Sequence, residues 1–222
     1  GQDIEKIRFK KRLKGTVDWI LFDEVDYDPD VNLYIVNDRL AYSLDEYDYA
    51  IVPVAQGIEG DIVSSSIQCR FSGLWVVDAE DSVKLFYNLE YGDISHNRNI
   101  QTIELLESEY PMVYSTPLAY ASGSNSAVVV GKNTGHDGVN VDYLDDRKVV
   151  DSAIKFLGNK KPKLLKDGNG RKKVVIINNI NEATMDNMQG GVHTISFDWT
   201  EIANADKRED LVNTGLLPES DE

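Results

Sequence analysis

The chain has 222 residues, with 38 Asp and Glu against 23 Lys and Arg, and a formal net charge of −15 at pH 7. This acidic balance argues against a general nucleic-acid coat, which needs a net positive face. A hydrophobic fraction of 41% argues against a disordered chain, the single Cys69 excludes an internal disulfide, and no apolar run has the length of a membrane span.

Charge is unevenly distributed along the chain. Residues 1–14 are basic, and we predict that they form an N-terminal arm that binds other proteins. Residues 15–150 are strongly acidic, residues 151–178 hold eight bases and two acids, and residues 179–222 are acidic again. Such segments can steer copies of one chain toward each other.

Short β-branched and aromatic runs predict strands at 16–22, 33–36, 47–54, 61–71, 74–77 and 83–87, with an acidic loop at 23–30. Many short strands separated by turn signals favour a sandwich or a barrel. We predict a β-rich N-terminal part over residues 15–72. A further strand is expected at 100–109, followed by a short strand within 122–134 and a connector at 135–140.

The clearest predicted element is a helix over residues 144–157. Its apolar residues recur at helical spacing, at Val149, Val150, Ala153, Ile154 and Leu157. Gly158 is expected to end the helix, and Pro162 prevents its continuation. The apolar stripe requires a sheet to cover it.

Two strands, at 163–166 and 172–177, flank Asp167-Gly-Asn-Gly170, a sequence typical of a tight hairpin. After a reversal at 185–191, residues 192–199 alternate with period two, which indicates a strand with one buried face. A short helix within 206–215 and an acidic tail at 205–222 complete the chain. The predicted class is mainly β (α+β): barrel or sandwich domains, the second over residues 73–204, with one amphipathic helix packed on the sheet.

Sequence patterns for catalysis are absent. The chain lacks nucleophile, phosphate-loop and dinucleotide motifs, and its three histidines are scattered. His193 alternates with apolar residues and is interpreted as half-buried, and Cys69 as a small core residue. The segment 26–32 begins like a calcium loop but has Val31 and Asn37 where Gly and Glu are required. We therefore expect no enzyme activity, no cofactor and no metal. One alternative is a carbohydrate-binding module or adhesin that uses Tyr and Asp residues, with or without Ca²⁺. A second is an enzyme of another type, such as a glycan hydrolase.

The order of segments over residues 73–215 carries a family resemblance. The segments are Gly73-Leu74-Trp75-x-x-Asp78, Glu109-Tyr-Pro111, the helix 147–157, Lys161-Pro-Lys-Leu-Leu-Lys-Asp-Gly168, 174–181 and Phe197-Asp-Trp-Thr-Glu-Ile-Ala203. This order resembles the tail and baseplate structural proteins of tailed bacteriophages, in particular distal-tail-like proteins. The resemblance implies a ring-forming virion component with a β-barrel, one helix and long hairpins. It also implies assembly in the host cytoplasm with other tail proteins, without nucleic acid, membrane or cofactor.

A charged interface is the predicted means of assembly. The hairpin bases are Lys160, Lys161, Lys163, Lys166, Arg171, Lys172 and Lys173, and those of the N-terminal arm are Arg8, Lys10, Lys11, Arg12 and Lys14. Trp19 and Phe22 are expected beside the arm. The acidic segments 23–30 or 45–48 of the next copy are the expected counterparts, in a head-to-tail contact that closes into a ring.

Overall fold

The computed structural model describes residues 3–106, 108–131, 143–184 and 192–218, so the predicted connector at 135–140 and the reversal at 185–191 lie outside the described residues. The elements in chain order are β1 (Lys6–Leu13), β2 (Ile20–Asp26), β3 (Glu46–Ala55), β4 (Ile58–Glu59), β5 (Val63–Gln68), β6 (Leu74–Val77), β7 (Ser82–Leu85), β8 (Tyr87–Tyr91), β9 (Ser95–Ile103), β10 (Met112–Val129), α1 (Tyr143–Leu157), β11 (Lys163–Asp167), β12 (Lys172–Thr184), β13 (His193–Ala203) and α2 (Arg208–Asn213). The fold is mainly β, with two sheets.

The chain divides into two compact units. Unit 1 consists of Gly1–Lys84, Leu164–Lys173 and Asn204–Glu222, and unit 2 of Leu85–Lys163 and Val174–Ala203. Unit 1 runs through the boundaries expected at residues 14 and 72, and unit 2 ends at Ala203, next to the boundary expected at residue 204. Strand pairing between distant segments leaves no local pattern, so the return of residues 164–173 and 204–222 to unit 1 is visible only in three dimensions.

The first sheet lies in unit 1, with strand order β2-β1-β3-β4 and β5 paired to β3. β1 is an interior strand, antiparallel to β2 on one side and to β3 on the other. The basic segment is therefore part of a sheet, which differs from the predicted arm. Phe9 of β1 is buried, and its ring lies 6.5 Å from that of Phe22 on β2. Apolar residues alternating with the bases explain why this segment folds as a strand.

Two predictions for residues 23–36 are wrong. Residues 23–26 continue β2 instead of forming a loop, because they pair with the basic strand β1. Residues 33–36 do not form a strand. They belong to an irregular segment in which Leu33 and Ile35 are exposed, and Leu40 and Ala41, further along it, are buried.

The second sheet has eight strands. Unit 1 contains β6, β7 except its last residue Leu85, and β11 except its first residue Lys163. Unit 2 contains β8, β9, β10 and β13. β12 begins in unit 1 and continues in unit 2 after Lys173. Among the described strands, neither sheet path closes on itself. In unit 1 the predicted turn after β11 is confirmed, since the Asp167 carboxylate accepts hydrogen bonds from the backbone N–H groups of Asn169 and Arg171, both at 2.9 Å.

Unit 2 is built on β13, which pairs with both β12 and β10. The predicted helix is confirmed as α1, which packs against β10 and β13. Val150, Ala153 and Leu157 are almost fully buried on its apolar stripe. The helix ends as predicted, and the Gly158 N–H bonds to the Ile154 carbonyl at 2.9 Å.

Candidate functional site

The basic residues of β1 are paired within unit 1. The Arg8 guanidinium lies 2.8 Å from Glu24 and 2.9 Å from Glu59, and Arg12 lies 2.9 Å from Asp48. Further pairs are Lys6–Glu24, Lys10–Glu59 and Lys14–Glu46, and Lys11 pairs with Asp38 of the irregular segment between β2 and β3. The hydrogen bond from Arg8 holds the pKa of Glu24 below its ordinary value. These bases meet their acidic counterparts inside the same chain, which weakens the case for an intermolecular role.

The hairpin bases divide by exposure. Lys163 and Lys166 are buried, with exposed fractions of 0% and 6%, so their place inside the fold corrects the prediction that they form an interface. Lys163 lies 4.2 Å from the Phe156 ring centroid, within unit 2. Lys172 is half-buried and pairs with Asp206 at 2.5 Å. Lys173 is also half-buried, whereas Lys160, Lys161 and Arg171 are exposed.

The residues considered for sugar or calcium binding have structural partners. Tyr47 is buried, and the Tyr42 hydroxyl donates to the Ala205 carbonyl at 2.9 Å. In the acidic segment 26–32, the Asp28 carboxylate accepts the Asp30 N–H at 2.9 Å. No group of three or more His, Cys, Asp or Glu side chains that could hold a metal ion is found in the described part of the chain.

A long ribbon of two strands carries most of the exposed large apolar side chains in the described part of unit 2. β9 and the first part of β10 pair from Met112↔Ile103 to Ser122↔Ser95, and almost every residue on both strands is exposed. The exposed large apolar side chains of the ribbon and its turn are Ile100, Ile103, Leu105, Leu106, Tyr110, Met112, Val113, Tyr114, Leu118 and Tyr120. We call β9, the turn after it and residues 112–120 the β9–β10 ribbon.

The ribbon has apolar side chains on both faces. Met112 and Tyr114 lie on one face, and Val113 lies on the other, because successive strand residues point to opposite sides. Residues 112–120 pair with β9 alone among the described strands, so the ribbon has two open edges. The register shifts between Ser115 and Ala119, at a bulge that contains Pro117.

The sequence marks this surface by an absence of charged residues, which is not visible when charge is counted over long segments. Residues 110–131 contain no Asp, Glu, Lys, Arg or His, in a chain of which 27% is charged. The first half of this run, residues 110–120, is exposed, whereas exposed strand edges are normally protected by charge. Only a short strand within 122–134 was predicted above for this run, because Ser, Gly and Asn residues are typical of loops.

Unit 1 contains a cavity of about 1030 Å³. Its wall is mainly aromatic and aliphatic, and includes Phe9, Phe22, Ile51, Ile67, Phe71 and Val77. Cys69, predicted as a core residue, is half-buried on this wall, with its Sγ 3.9 Å from the Tyr49 hydroxyl oxygen. Nothing in the local sequence indicates this cavity, because its wall combines residues from distant segments.

An ion pair is buried beside the cavity. The Lys11 Nζ lies 2.7 Å from each carboxylate oxygen of Asp38, and the Tyr49 hydroxyl donates to Asp38 Oδ2 at 2.7 Å. Burial lowers the pKa of Lys11, and Asp38 acts in the opposite direction. Burial likewise raises the pKa of Tyr49. The Asp38 carboxylate also accepts the Leu40 N–H at 2.9 Å, so its hydrogen-bonding capacity is well used.

A second buried ammonium group, that of Lys166, lines the cavity without an ion pair. Its Nζ donates to the backbone carbonyl oxygens of Arg39 and Ala41, at 2.5 and 2.6 Å, and lies 5.2 Å from the Phe71 ring centroid. Within the described residues, no carboxylate oxygen lies within 4 Å of it. Burial lowers the pKa of Lys166 to about 8.

Trp75 stands opposite Lys166 on the neighbouring strand. The two residues are register partners in the antiparallel pair β6–β11, which places their side chains on the same face. The Trp75 Nε1 is buried and has no hydrogen-bond acceptor. Its ring centroid lies 6.2 Å from that of Phe71, which is thus near both residues.

No protein-family model matches the chain, and no curated protein sequence matches it. Within the described residues, no helix combines the length and the apolar character that crossing a bilayer requires. A functional proposal therefore depends on the exposed surfaces and cavities of the chain itself.

Proposed function

We propose that the chain is a non-enzymatic structural subunit of a bacteriophage tail tip or baseplate, and that it assembles through the β9–β10 ribbon. The observation that carries the proposal is the exposure of apolar residues along both strands of the ribbon. Val113 and Tyr114 are 59% and 56% exposed, and Ile100 is 56% exposed. Contiguous apolar surface of this kind marks an interaction site.

The β9–β10 ribbon has little stability of its own in isolation. A two-stranded ribbon without a covered apolar face is marginally stable in water, and it gains stability when a third strand or a packed surface joins it. Both edges of the ribbon are open, and residues 112–120 offer their outward N–H and C=O groups to another strand. Association would bury the apolar side chains and complete these hydrogen bonds.

The tail assignment is supported by the segment order that resembles distal-tail-like proteins. In this chain, that order corresponds to a helix packed on a sheet and to long paired strands. Barrel closure, ring formation, neighbouring tail proteins as partners, assembly in the host cytoplasm and a place in the virion tail all belong to this proposal. The exposed Lys160, Lys161 and Arg171 remain candidates for a second, electrostatic contact.

Imaging and mass measurement of the purified full chain test this proposal. We expect light scattering to report a multiple of 24.9 kDa, and negative-stain electron microscopy to show closed rings of uniform copy number. Open, irregular aggregates would contradict ring formation. A species of 24.9 kDa up to the highest soluble concentration would contradict self-assembly.

A further inference from the structure

Two buried polar groups on the cavity wall of unit 1 lack the partners that burial normally requires. Lys166 is a buried cation whose hydrogen-bond acceptors are neutral carbonyl groups, and Trp75 Nε1 is a buried donor without an acceptor. Buried charges are usually paired, and buried donors are usually hydrogen-bonded, because desolvation without compensation is costly. The Trp75 indole requires a hydrogen-bond acceptor and the Lys166 ammonium a counter-ion, and one negatively charged acceptor would serve both.

The protein does not supply this acceptor from its own nearby carboxylate. Asp38 is already held by Lys11 and Tyr49, with both of its oxygens engaged. The cavity wall otherwise carries Arg39, Arg70 and a single further carboxylate, Asp81, which is exposed and accepts the Ser82 N–H. The wall is therefore positive in excess, on a protein whose net charge is −15.

The part of the cavity wall without charge indicates the chemistry of the ligand beyond its acidic head. It is largely aromatic and aliphatic, and the volume of about 1030 Å³ is at the upper end of the range of cavities that take drug-sized molecules. The Phe71 ring centroid lies 5.2 Å from Lys166 Nζ and 6.2 Å from the centroid of the Trp75 ring, so an apolar body would pack on Phe71 while an acidic head meets the two donors. Apolar walls with a few convergent polar groups are the usual design of a small-molecule site.

We propose that the unit 1 cavity binds a small apolar carboxylate, whose carboxyl group accepts hydrogen bonds from Lys166 Nζ and Trp75 Nε1. This site is separate from the β9–β10 ribbon, which lies in unit 2, and it does not depend on the proposed function. Binding requires no covalent step. The ligand supplies a counter-ion for the Lys166 ammonium and an acceptor for the Trp75 indole.

Calorimetric titration of the full chain with matched ligand pairs tests the proposal. The probes are decanoate against decanol, and 2-naphthoate against 2-naphthamide, so each pair keeps the apolar body and changes the charge. We expect at least one carboxylate to bind with one-to-one stoichiometry, about tenfold or more tightly than its neutral partner, since charge-assisted hydrogen bonds are the stronger class. Which pair binds distinguishes an aliphatic from an aromatic ligand. Absence of binding, or equal binding of both members of each pair, would overturn the proposal.

Variants connect the preference to the two named groups. Lys166→Met keeps an apolar side chain of similar length, and Trp75→Phe keeps an aromatic ring without the N–H donor. We expect Lys166→Met to remove the preference for the carboxylate and Trp75→Phe to reduce it several-fold, without weakening the neutral partner. Lys6→Met, on the same unit but not on the cavity wall, is the matched control. If Lys166→Met does not fold, Trp75→Phe decides. A preference that survives in the folded variants would overturn the assignment.

Discussion

At the scale of single residues, the buried lysines of unit 1 show how much the environment changes a side chain. Lys11 and Lys166 belong to two basic segments that look alike in sequence, yet both are buried, at 5% and 6% exposed. Lys11 has Asp38 as an ionic partner, whereas Lys166 has only carbonyl oxygens. A sequence that is rich in surface lysines gives no sign of which ones are buried, because burial depends on segments far away in the chain.

Breaking the buried Lys11–Asp38 pair is expected to destabilise the protein. Asp38→Ala leaves the Lys11 ammonium buried without a counter-ion, and it removes the acceptor of the Tyr49 hydroxyl. We predict a loss of about 3 kcal/mol in the free energy of unfolding, measured by urea denaturation. The double variant Lys11→Met/Asp38→Ala should recover most of this loss, because it removes the stranded charge. A loss below about 1 kcal/mol for the single variant would show that the pair is open to water.

Lys166 makes the stability of the chain depend on pH, and comparison with the variant Lys166→Met isolates its contribution. Its pKa is lowered to about 8 in the folded chain from an ordinary value of 10.5, and Asp38, Lys11 and Cys69 are the titratable groups that act on it. Between these two values the unfolded chain holds a proton that the folded chain has lost, so the free energy of unfolding rises with pH.

The wild-type chain should therefore gain stability relative to Lys166→Met by about 2 kcal/mol between pH 8 and pH 10. Urea denaturation of both proteins across this range measures the difference, in which the contributions of other titrating groups cancel to first order. A difference that stays constant with pH would mean that the folded pKa is not lowered.

At the scale of elements, the local sequence pattern was sufficient to predict some helices, strands and turns and not others. The helical spacing of Val150, Ala153 and Leu157 identifies α1, and Asp167-Gly-Asn-Gly170 identifies the turn after β11. The interior position of β1 and the length of β10 could not be predicted. Both depend on partner strands that are distant in sequence, and the small residues of β10 do not alternate cleanly.

The β9–β10 ribbon should be the least protected paired element of the isolated chain. Two open edges and exposed side chains provide little resistance to local opening. Hydrogen exchange of the dilute full chain should show residues 112–120 exchanging faster than residues 122–129 of the same strand, which pair with β13. Slowed exchange of residues 112–120 on concentration is expected if copies associate there. Equal protection of the two halves of β10 in the dilute sample would contradict this description.

At the scale of the whole molecule, the net charge of −15 is a poor guide to how the chain associates. Most bases of β1 are neutralised by acids of their own sheet, and two of the hairpin bases are buried. The uncharged run at 110–131 contrasts with this charged background. The uncharged strand of the β9–β10 ribbon, and not the segments with the most charge, is therefore the surface that we assign to assembly.

The most direct test compares the mass of three variants of the full chain by light scattering. The ribbon variant is Ile100→Ser/Val113→Ser/Tyr114→Ser. Its matched control, Val17→Ser/Leu33→Ser/Ile35→Ser, removes three apolar residues of unit 1 that are even more exposed. The charge variant is Lys160→Glu/Lys161→Glu/Arg171→Glu. Surface changes of this kind leave thermal stability nearly unchanged, which checks that each variant folds.

We predict that the ribbon variant has a mass of 24.9 kDa, whereas the matched control keeps the mass of the wild-type assembly. The charge variant is expected to retain assembly, with a weaker association at low salt. A ribbon variant that assembles as the wild type does, or a charge variant that alone is reduced to 24.9 kDa, would contradict assembly through the β9–β10 ribbon.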